Sequence, residues 1–157
     1  MSEEQSYLRE AIALARANIG KGGRPFGALV VRDGAVIATG VNEIHATSDP
    51  TAHAEMSAIR AASRALGSPD LGGCVVYASG HPCPMCMAAM RLAGVTGVAY
   101  AYSNEDGAPF GLSTAALYEE LARPFAEQSM DIRYLPARPE GQPDLYAEWA
   151  QARNMQA

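Results

Sequence analysis

Three residues in the middle of the chain, His53, Cys83 and Cys86, carry side chains that zinc favours as ligands. A catalytic zinc ion takes three protein ligands and keeps its fourth position for water. Glu55 follows His53 by two residues, and its carboxylate would lie beside the metal without being one of the three ligands. It could accept a proton from water and pass it on, which is the general acid/base role in hydrolysis. The sequence therefore predicts one Zn²⁺ per chain with a catalytic water as fourth ligand, and Glu55 as a catalytic residue.

A helix start is predicted to position the two cysteines. They are three residues apart, so they would share a face in the first turn of a helix. Pro84 suits the first helical position, where its missing N–H costs nothing. The partial positive charge at that end of a helix favours the thiolate, which is the form that binds metal.

A second helix, over residues 50–66, is predicted to position His53 and Glu55, with Asp49 as its cap and Pro50 as its first residue. Residues two apart on a regular helix point about 200° away from each other. Both side chains can therefore face one metal only where the chain is just entering the helix.

The remaining pattern predicts an α/β fold. Alternation of strand and helix from residue 50 to 102 indicates parallel pairing with helices on both faces of a sheet. We expect a three-layer α/β/α sandwich around a five-stranded mixed sheet, with an antiparallel first hairpin turning at Asp33-Gly34. The predicted strands are 26–31, 35–41, 74–78, 95–102 and 132–135. The other predicted helices are 2–19 (with Ser2 and Gln5 as a capping box), 84–93, 114–121 and 145–153.

Composition bounds the class of protein. The chain has 157 residues, 48% of them hydrophobic and 18% charged, which indicates one globular domain over 1–157. The N-terminus lacks the basic start and apolar run of a signal peptide, so a soluble, cytoplasmic protein is expected. Three cysteines, two of them in Cys-x-x-Cys, suit metal binding better than a disulfide framework. A net charge of −5 disfavours a polyanionic partner.

The metal residues also carry a resemblance to a known family. His53-Ala54-Glu55 and Pro82-Cys83-Pro84-Met85-Cys86 match the His-x-Glu and Pro-Cys-x-x-Cys signature of zinc nucleobase deaminases. Over roughly residues 5 to 155 the chain resembles the cytidine deaminase-like superfamily. Together with Pro25-Phe26-Gly27-Ala28, Asn42 and Asp49-Pro50-Thr51-Ala52, these motifs are most similar to bacterial guanine deaminases.

That resemblance implies hydrolytic deamination of a free nucleobase, guanine to xanthine and ammonia, by a homodimer, and it leaves open whether the subunits exchange C-terminal elements. It also implies that Asn42, the backbone of Ala54 and Asp106 hold the edge of the base while Phe26 lies against its face. We predict a catalytic role for Asp106 in addition to Glu55. Asp106 lies in a polar loop after a predicted strand, where open α/β sheets bind ligands. Trp149, the single tryptophan, is a further candidate for contact with a substrate.

Several alternatives stay open at the level of sequence. One alternative is a structural zinc site in a non-enzymatic interaction domain, which would need a fourth ligand such as Cys74 or His81. We expect Cys74 to be a buried packing residue and His81 to lie at the rim of a pocket. Gly80-His81 stands where guanine deaminases commonly carry Cys-Glu, so cytosine, another aminopurine or an s-triazine are alternative substrates. A tRNA adenosine deaminase would need cationic surface, and the C-terminal third has no Lys.

Overall fold

One mixed sheet organises the first part of the chain in the computed structural model, which describes residues 2–156. Strand β1 (Gly27–Arg32) pairs antiparallel with both β2 (Ala35–Val41) and β3 (Cys74–Gly80). Strand β4 (Gly97–Tyr102) pairs parallel with β3, and the strand order is β2-β1-β3-β4. The mixed sheet and its antiparallel first hairpin are as predicted.

The hairpin between β1 and β2 turns at the predicted dipeptide. Asp33 has a φ of 50° and Gly34 a φ of 76°, so both central residues are left-handed. A two-residue turn of this kind matches the right-handed twist of the flanking strands.

The predicted fifth strand is wrong. Ile132–Leu135 has no regular secondary structure, and the sheet has four strands within residues 2–156. The side chains of Tyr134 and Leu135 are largely exposed. Local β-propensity predicts a strand here, but a strand exists only where another strand pairs with its backbone.

Helices cover both faces of the sheet. Successive strand residues point to opposite faces, so Leu29 and Val31 pack with Ala11 of the first helix, whereas Ala28 and Val30 pack on the other side. The helices of this part are α1 (Glu3–Gly20), α2 (Ile44–Thr47), α3 (Ala54–Leu66), α4 (Pro84–Ala93), α5 (Asn104–Gly107) and α6 (Ala115–Leu121), with a 3-10 turn at Ala108–Phe110. Helix α1 lies on one face, and α3 and α4 lie on the other, which gives the three predicted layers.

Helix α1 begins as predicted. Ser2 Oγ accepts a hydrogen bond from the Gln5 N–H at 3.2 Å, and Gln5 Oε1 accepts one from the Ser2 N–H at 3.1 Å. This reciprocal capping box satisfies backbone donors that the helix itself leaves without acceptors.

Strand β2 runs against the start of α3 at Gly40. A Cβ at this position would overlap the Ala54 carbonyl oxygen and lie 2.5 Å from the Ala58 nitrogen. Because both neighbours are backbone atoms of a helix, they cannot move aside as a flexible side chain could. Glycine is therefore required for this strand and this helix to approach so closely.

The chain divides into two compact units, one ending at Arg123 and the other beginning at Pro124. The second unit contains a 3-10 turn (Phe125–Glu127) and α7 (Leu145–Gln156). The predicted single domain over 1–157 includes residues 1 and 157, which lie outside the described residues, and it stays a prediction. No helix within residues 2–156 combines the length and apolar character needed to cross a bilayer.

Candidate metal and active site

The three predicted zinc ligands converge on one point, and we call them the metal cluster: His53, Cys83 and Cys86. The two sulfurs are 3.6 Å apart. His53 Nδ1 lies 3.4 Å from the sulfur of Cys83 and 3.7 Å from that of Cys86. Among the described residues, this group of donors contains no fourth side chain.

These distances fit a tetrahedral zinc ion. With Zn–S of about 2.3 Å and Zn–N of about 2.0 Å, tetrahedral angles place two sulfurs about 3.8 Å apart and a sulfur and a nitrogen about 3.5 Å apart. All three separations in the metal cluster agree with these values to within a few tenths of an ångström. One imidazole and two thiols also form the donor set of a catalytic zinc site with an open fourth position.

The charge on the cysteines points the same way. The hydrogen bond between the sulfurs of Cys83 and Cys86, with a further one to His53, lowers the pKa of Cys83 to about 4. The same hydrogen bond to Cys83, together with burial, raises the pKa of Cys86. Two thiolates this close repel each other, and a divalent cation is what would stabilise both.

Helix α4 supplies the cysteines as predicted. It begins at Pro84 with Cys83 as its N-cap, and it ends at Ala93 before Gly94, whose φ is 81°. Cys83 and Cys86 therefore bracket the first turn, with the proline at a position that needs no N–H.

Helix α3 starts later than predicted. Asp49 is not its cap: Asp49 Oδ1 accepts from the N–H and the hydroxyl of Thr51, at 2.9 and 2.8 Å, and so closes a local turn. The helix begins at Ala54, and its N-cap is His53 with extended φ and ψ of −73° and 158°. Because His53 precedes the helix and Glu55 lies in its first turn, the two side chains can serve one site despite their spacing.

Glu55 lies in the floor of this site. It is 6% exposed, and burial raises the pKa of its carboxyl, while the neighbouring Cys86 side chain partly offsets that rise. A carboxyl with a raised pKa beside a metal site is suited to taking up and releasing a proton.

A cavity of about 590 Å³ opens over the metal cluster. Such a volume is in the range of roughly 300–1,000 Å³ that is common for small-molecule sites. Besides Glu55, the structure brings four predicted substrate residues to its lining: Phe26, Asn42, Ala54 and Asp106. As the first residue of α3, Ala54 has an N–H without an intrahelical partner.

Asn42 presents a hydrogen-bond donor to this cavity. It is 2% exposed, and its Oδ1 accepts from the Ile44 N–H at 3.2 Å. The other polar atom of this side-chain amide is the nitrogen, Nδ2, and it has no hydrogen-bond partner within residues 2–156. Within residues 2–156, every side-chain nitrogen or oxygen that is completely buried has a hydrogen-bond partner. The Asn42 nitrogen has none, so it is not completely buried, and the cavity that Asn42 lines is the open space beside it.

Asp106 has a structural task of its own. One carboxylate oxygen accepts from the Ser103 N–H at 2.8 Å and from its hydroxyl at 3.0 Å, which forms a capping box at the start of α5. These bonds lower the pKa of Asp106. The second oxygen has no hydrogen-bond partner within residues 2–156, and the predicted contact of Asp106 with a base stays a prediction.

A network that the sequence did not indicate forms another side of the cavity, and we call it the polar wall: His81, Asn104 and Thr114. Asn104 Oδ1 accepts from the Thr114 N–H at 3.1 Å. Its nitrogen therefore faces His81 Nδ1, 3.1 Å away, and that ring nitrogen must be the acceptor in the neutral ring. Tyr118 packs edge-on against His81 and donates a hydrogen bond to the Pro82 carbonyl.

Other sequence candidates have different surroundings. Cys74 is fully buried in β3, as predicted for a packing residue. His81 lines the cavity and is not part of the metal cluster. Trp149 lies in α7 of the second unit, where the Arg153 guanidinium lies 4.7 Å from the ring centre. Its predicted contact with a substrate stays a prediction.

Comparisons with known proteins agree with this site. The family model for the cytidine and deoxycytidylate deaminase zinc-binding region matches residues 1–102. The chain is 41% identical over 127 residues to the guanine deaminase of Bacillus subtilis, which covers 80% of this chain and 81% of that enzyme. It is 36% identical over 120 residues to a tRNA-specific adenosine deaminase of the same organism, covering 76% and 74% of the two chains.

A solved structure extends the likeness to the fold. The crystal structure of guanine deaminase from Bacillus subtilis superposes with a TM-score of 0.82 and 37% sequence identity. The match covers 96% of this chain and 93% of that one.

Proposed function

The chain belongs to the cytidine and deoxycytidylate deaminase zinc-binding family, and from this premise we propose that it is a zinc-dependent hydrolase that deaminates a free nucleobase, with guanine as the first candidate. The observation that carries the choice of guanine is the extent of the likeness. Similarity to a guanine deaminase structure spans 96% of the chain, whereas the structural match to a tRNA:A34 deaminase spans 65%.

The reaction is a hydrolysis in which atoms balance without an oxidant. Water adds at the amino-bearing carbon of guanine, the bond from that carbon to the amino nitrogen breaks, and xanthine and ammonia leave. When bound by His53, Cys83 and Cys86, zinc supplies a Lewis acid that lets water act as a nucleophile at neutral pH.

Glu55 moves the protons in this proposal. Its carboxylate accepts a proton from the attacking water and delivers it to the ring nitrogen next to the reacting carbon. It then carries a second proton to the departing amine. Burial supports this role, because it raises the pKa of the carboxyl and so makes the carboxylate a better proton acceptor.

Four residues of the cavity are proposed to hold the base. The Asn42 amide nitrogen and the Ala54 N–H are donors for acceptors on its edge, and the ionised Asp106 is an acceptor for its N–H groups. Phe26 supplies an aromatic surface for the ring face.

The polar wall favours a second candidate within the same class, which is another aminated base such as cytosine, an aminopurine or an s-triazine. With His81 Nδ1 accepting from Asn104, the neutral ring carries its proton on Nε2. Guanine deaminases commonly carry a carboxylate in place of this histidine, so the exchange replaces an acceptor with a neutral donor. A base with an acceptor at this edge would then bind better than guanine.

The deciding experiment is an ammonia-release screen of the zinc-loaded protein across guanine, cytosine, adenine, 2,6-diaminopurine, s-triazines and the corresponding nucleosides. We expect release from free bases, with guanine giving the highest kcat/KM. A preference for cytosine or a triazine would favour the second candidate, and no release from any of them would contradict the deaminase proposal.

A tRNA substrate is the weaker alternative. Relatives that act on tRNA share the zinc residues, but this chain has a net charge of −5 and no Lys in its C-terminal third. Salt-dependent binding of a tRNA anticodon hairpin, with release of ammonia from it, would revive this reading.

We also infer a homodimer in which residues 124–157 contact a second copy of the chain. Within the second unit, Leu145, Tyr146 and Trp149 are each more than half exposed and lie within five consecutive residues of α7, and clustered exposed apolar side chains mark protein–protein surfaces. Light scattering after gel filtration should give twice the chain mass. The double substitution Leu145→Glu, Tyr146→Glu should give a monomer, and an unchanged mass would refute the assignment.

A reducing compartment, the cytoplasm, fits this chemistry. All three cysteines are free in the structure, and zinc binding requires reduced thiols.

A further inference from the structure

A buried asparagine in α1, Asn18, stands out from its surroundings. It shares the apolar face of the helix with Ala11 and Ala15, and it is 3% exposed. Burying an amide costs free energy unless hydrogen bonds replace its contacts with water. Its Nδ2 donates to the Arg24 carbonyl at 2.8 Å and to the Asn42 carbonyl at 2.9 Å, so it joins two separate segments of the chain.

The backbone of Asn18 holds the same region. Its carbonyl oxygen accepts from the N–H of Lys21 at 3.0 Å and from that of Gly23 at 2.9 Å, which turns the chain back after α1. The Asn42 N–H in turn donates to the Phe26 carbonyl at 3.2 Å. The end of α1, the segment before β1 and the residue after β2 are thereby tied together through one side chain.

From this arrangement we propose that Asn18 is a positioning residue that aims Asn42 and Phe26 at the substrate. It does not reach the reacting atoms and acts only through these two neighbours. The inference rests on the proposed function, because it assigns Asn42 to the edge of the base and Phe26 to its face.

The position of the Asn42 backbone determines where the proposed donor to the base lies. The Asn42 amide nitrogen is a donor whose direction is set by the Asn42 backbone and by the bond from Ile44 to its oxygen. If the backbone at Asn42 loses the bond from Asn18, the donor shifts with it. Displacements of about 1 Å in a substrate-positioning group are enough to weaken binding and turnover severely.

A matched pair of glycine substitutions tests this without changing Asn18 itself. A Cβ at Gly23 would overlap Asn18 Nδ2 and lie 2.6 Å from His45 Cε1, so Gly23→Ala must push the Asn18 side chain away from its acceptors. A Cβ at Gly20 would meet nothing within 4 Å, and Gly20→Ala is the control for a Gly→Ala change in the same region.

We expect Gly23→Ala to raise KM roughly tenfold, the loss of about one well-placed hydrogen bond, with kcat changed less than twofold. Gly20→Ala should leave both parameters unchanged. A purely structural role would instead lower the active fraction, and hence the apparent kcat, at constant KM. In an Asn42→Ala background Gly23→Ala should raise KM by less than tenfold, because the contact of the Asn42 side chain with the base is already lost and only the effect through Phe26 remains.

The proposal is overturned if Gly23→Ala leaves KM unchanged, or if it costs the full tenfold in the Asn42→Ala background. Asn18→Leu removes both bonds at similar volume and should reproduce the rise in KM if Gly23→Ala does not fold. Hydrogen exchange separates this inference from the enzymatic proposal. Hydrogen exchange of the Asn42 backbone N–H should be faster in Gly23→Ala than in Gly20→Ala, even if no base releases ammonia. Equal exchange rates in the two variants would overturn the positioning role.

Discussion

The metal cluster and the polar wall face the same cavity but are built in different ways. The cluster lies at the first turns of two long helices, and Cys83 and Cys86 are buried. The polar wall lies at the end of β3, in the four-residue helix α5 and just before α6, and its three side chains are half-buried. If the proposed function is correct, this difference predicts that the buried helix starts determine the type of reaction and that the shorter elements select the base.

Loss of a metal ligand should have the largest effect. Cys86→Ser should reduce bound zinc far below one ion per chain and bring ammonia release to background, because oxygen is a poorer zinc ligand than thiolate. Metal analysis and the ammonia assay measure both. The control is Cys74→Ala, a buried cysteine outside the cluster, which should keep its zinc. If Cys74→Ala lost its zinc and Cys86→Ser kept it, the metal cluster would be misassigned.

Removal of the proton carrier should separate chemistry from metal binding. Glu55→Gln keeps the shape of the side chain, so we expect zinc content to be retained while kcat falls by about 10²- to 10⁴-fold. Glu43→Gln, at an exposed position, should behave as wild type. A zinc-loaded Glu55→Gln protein with normal turnover would refute the role of this carboxylate.

Disruption of the polar wall should change selectivity more than zinc content. Asn104→Leu leaves the Thr114 N–H and His81 Nδ1 without their shared partner. We expect the ratio of kcat/KM between guanine and competing bases to change by roughly tenfold, the effect of about one lost hydrogen bond. If all bases lose activity by the same factor, the wall supports the fold and does not choose the substrate.

The smallest effect should come from acid titration of Asp106. Hydrogen bonds from Ser103 lower its pKa below the ordinary 3.8, so its contribution to stability is present above that pH and is lost as pH falls through the lower folded value. NMR titration of the Ser103 amide should show a midpoint below 3.8. A midpoint at or above 3.8 would mean that the capping box does not form in solution.

The sequence predicted best where one local signal decides the structure. Helix α4 has its predicted bounds, because Pro84 favours the first helical position and Gly94 readily adopts the left-handed φ that ends a helix. At Asp49-Pro50 two local signals competed. The aspartate side chain closes a turn on Thr51, so α3 begins at Ala54 and not at residue 50.

Contacts between distant residues explain what sequence reasoning missed. The polar wall joins positions 81, 104 and 114 by hydrogen bonds, and no local pattern brings these three together. Asn18 did leave a signal, since it is a polar residue on the apolar stripe of α1 and such a residue needs buried partners. The strand predicted at 132–135 failed because β-propensity does not supply a pairing partner.

The contact at Gly40 has a consequence for the evolvability of this scaffold. Any side chain added there would press on the carbonyl of Ala54, between His53 and Glu55 in the metal site. Random mutagenesis toward a new substrate should therefore find position 40 intolerant although it contacts no ligand. The wall positions 81, 104 and 114, by contrast, should accept variety. A deep mutational scan selected for ammonia release would display that contrast directly.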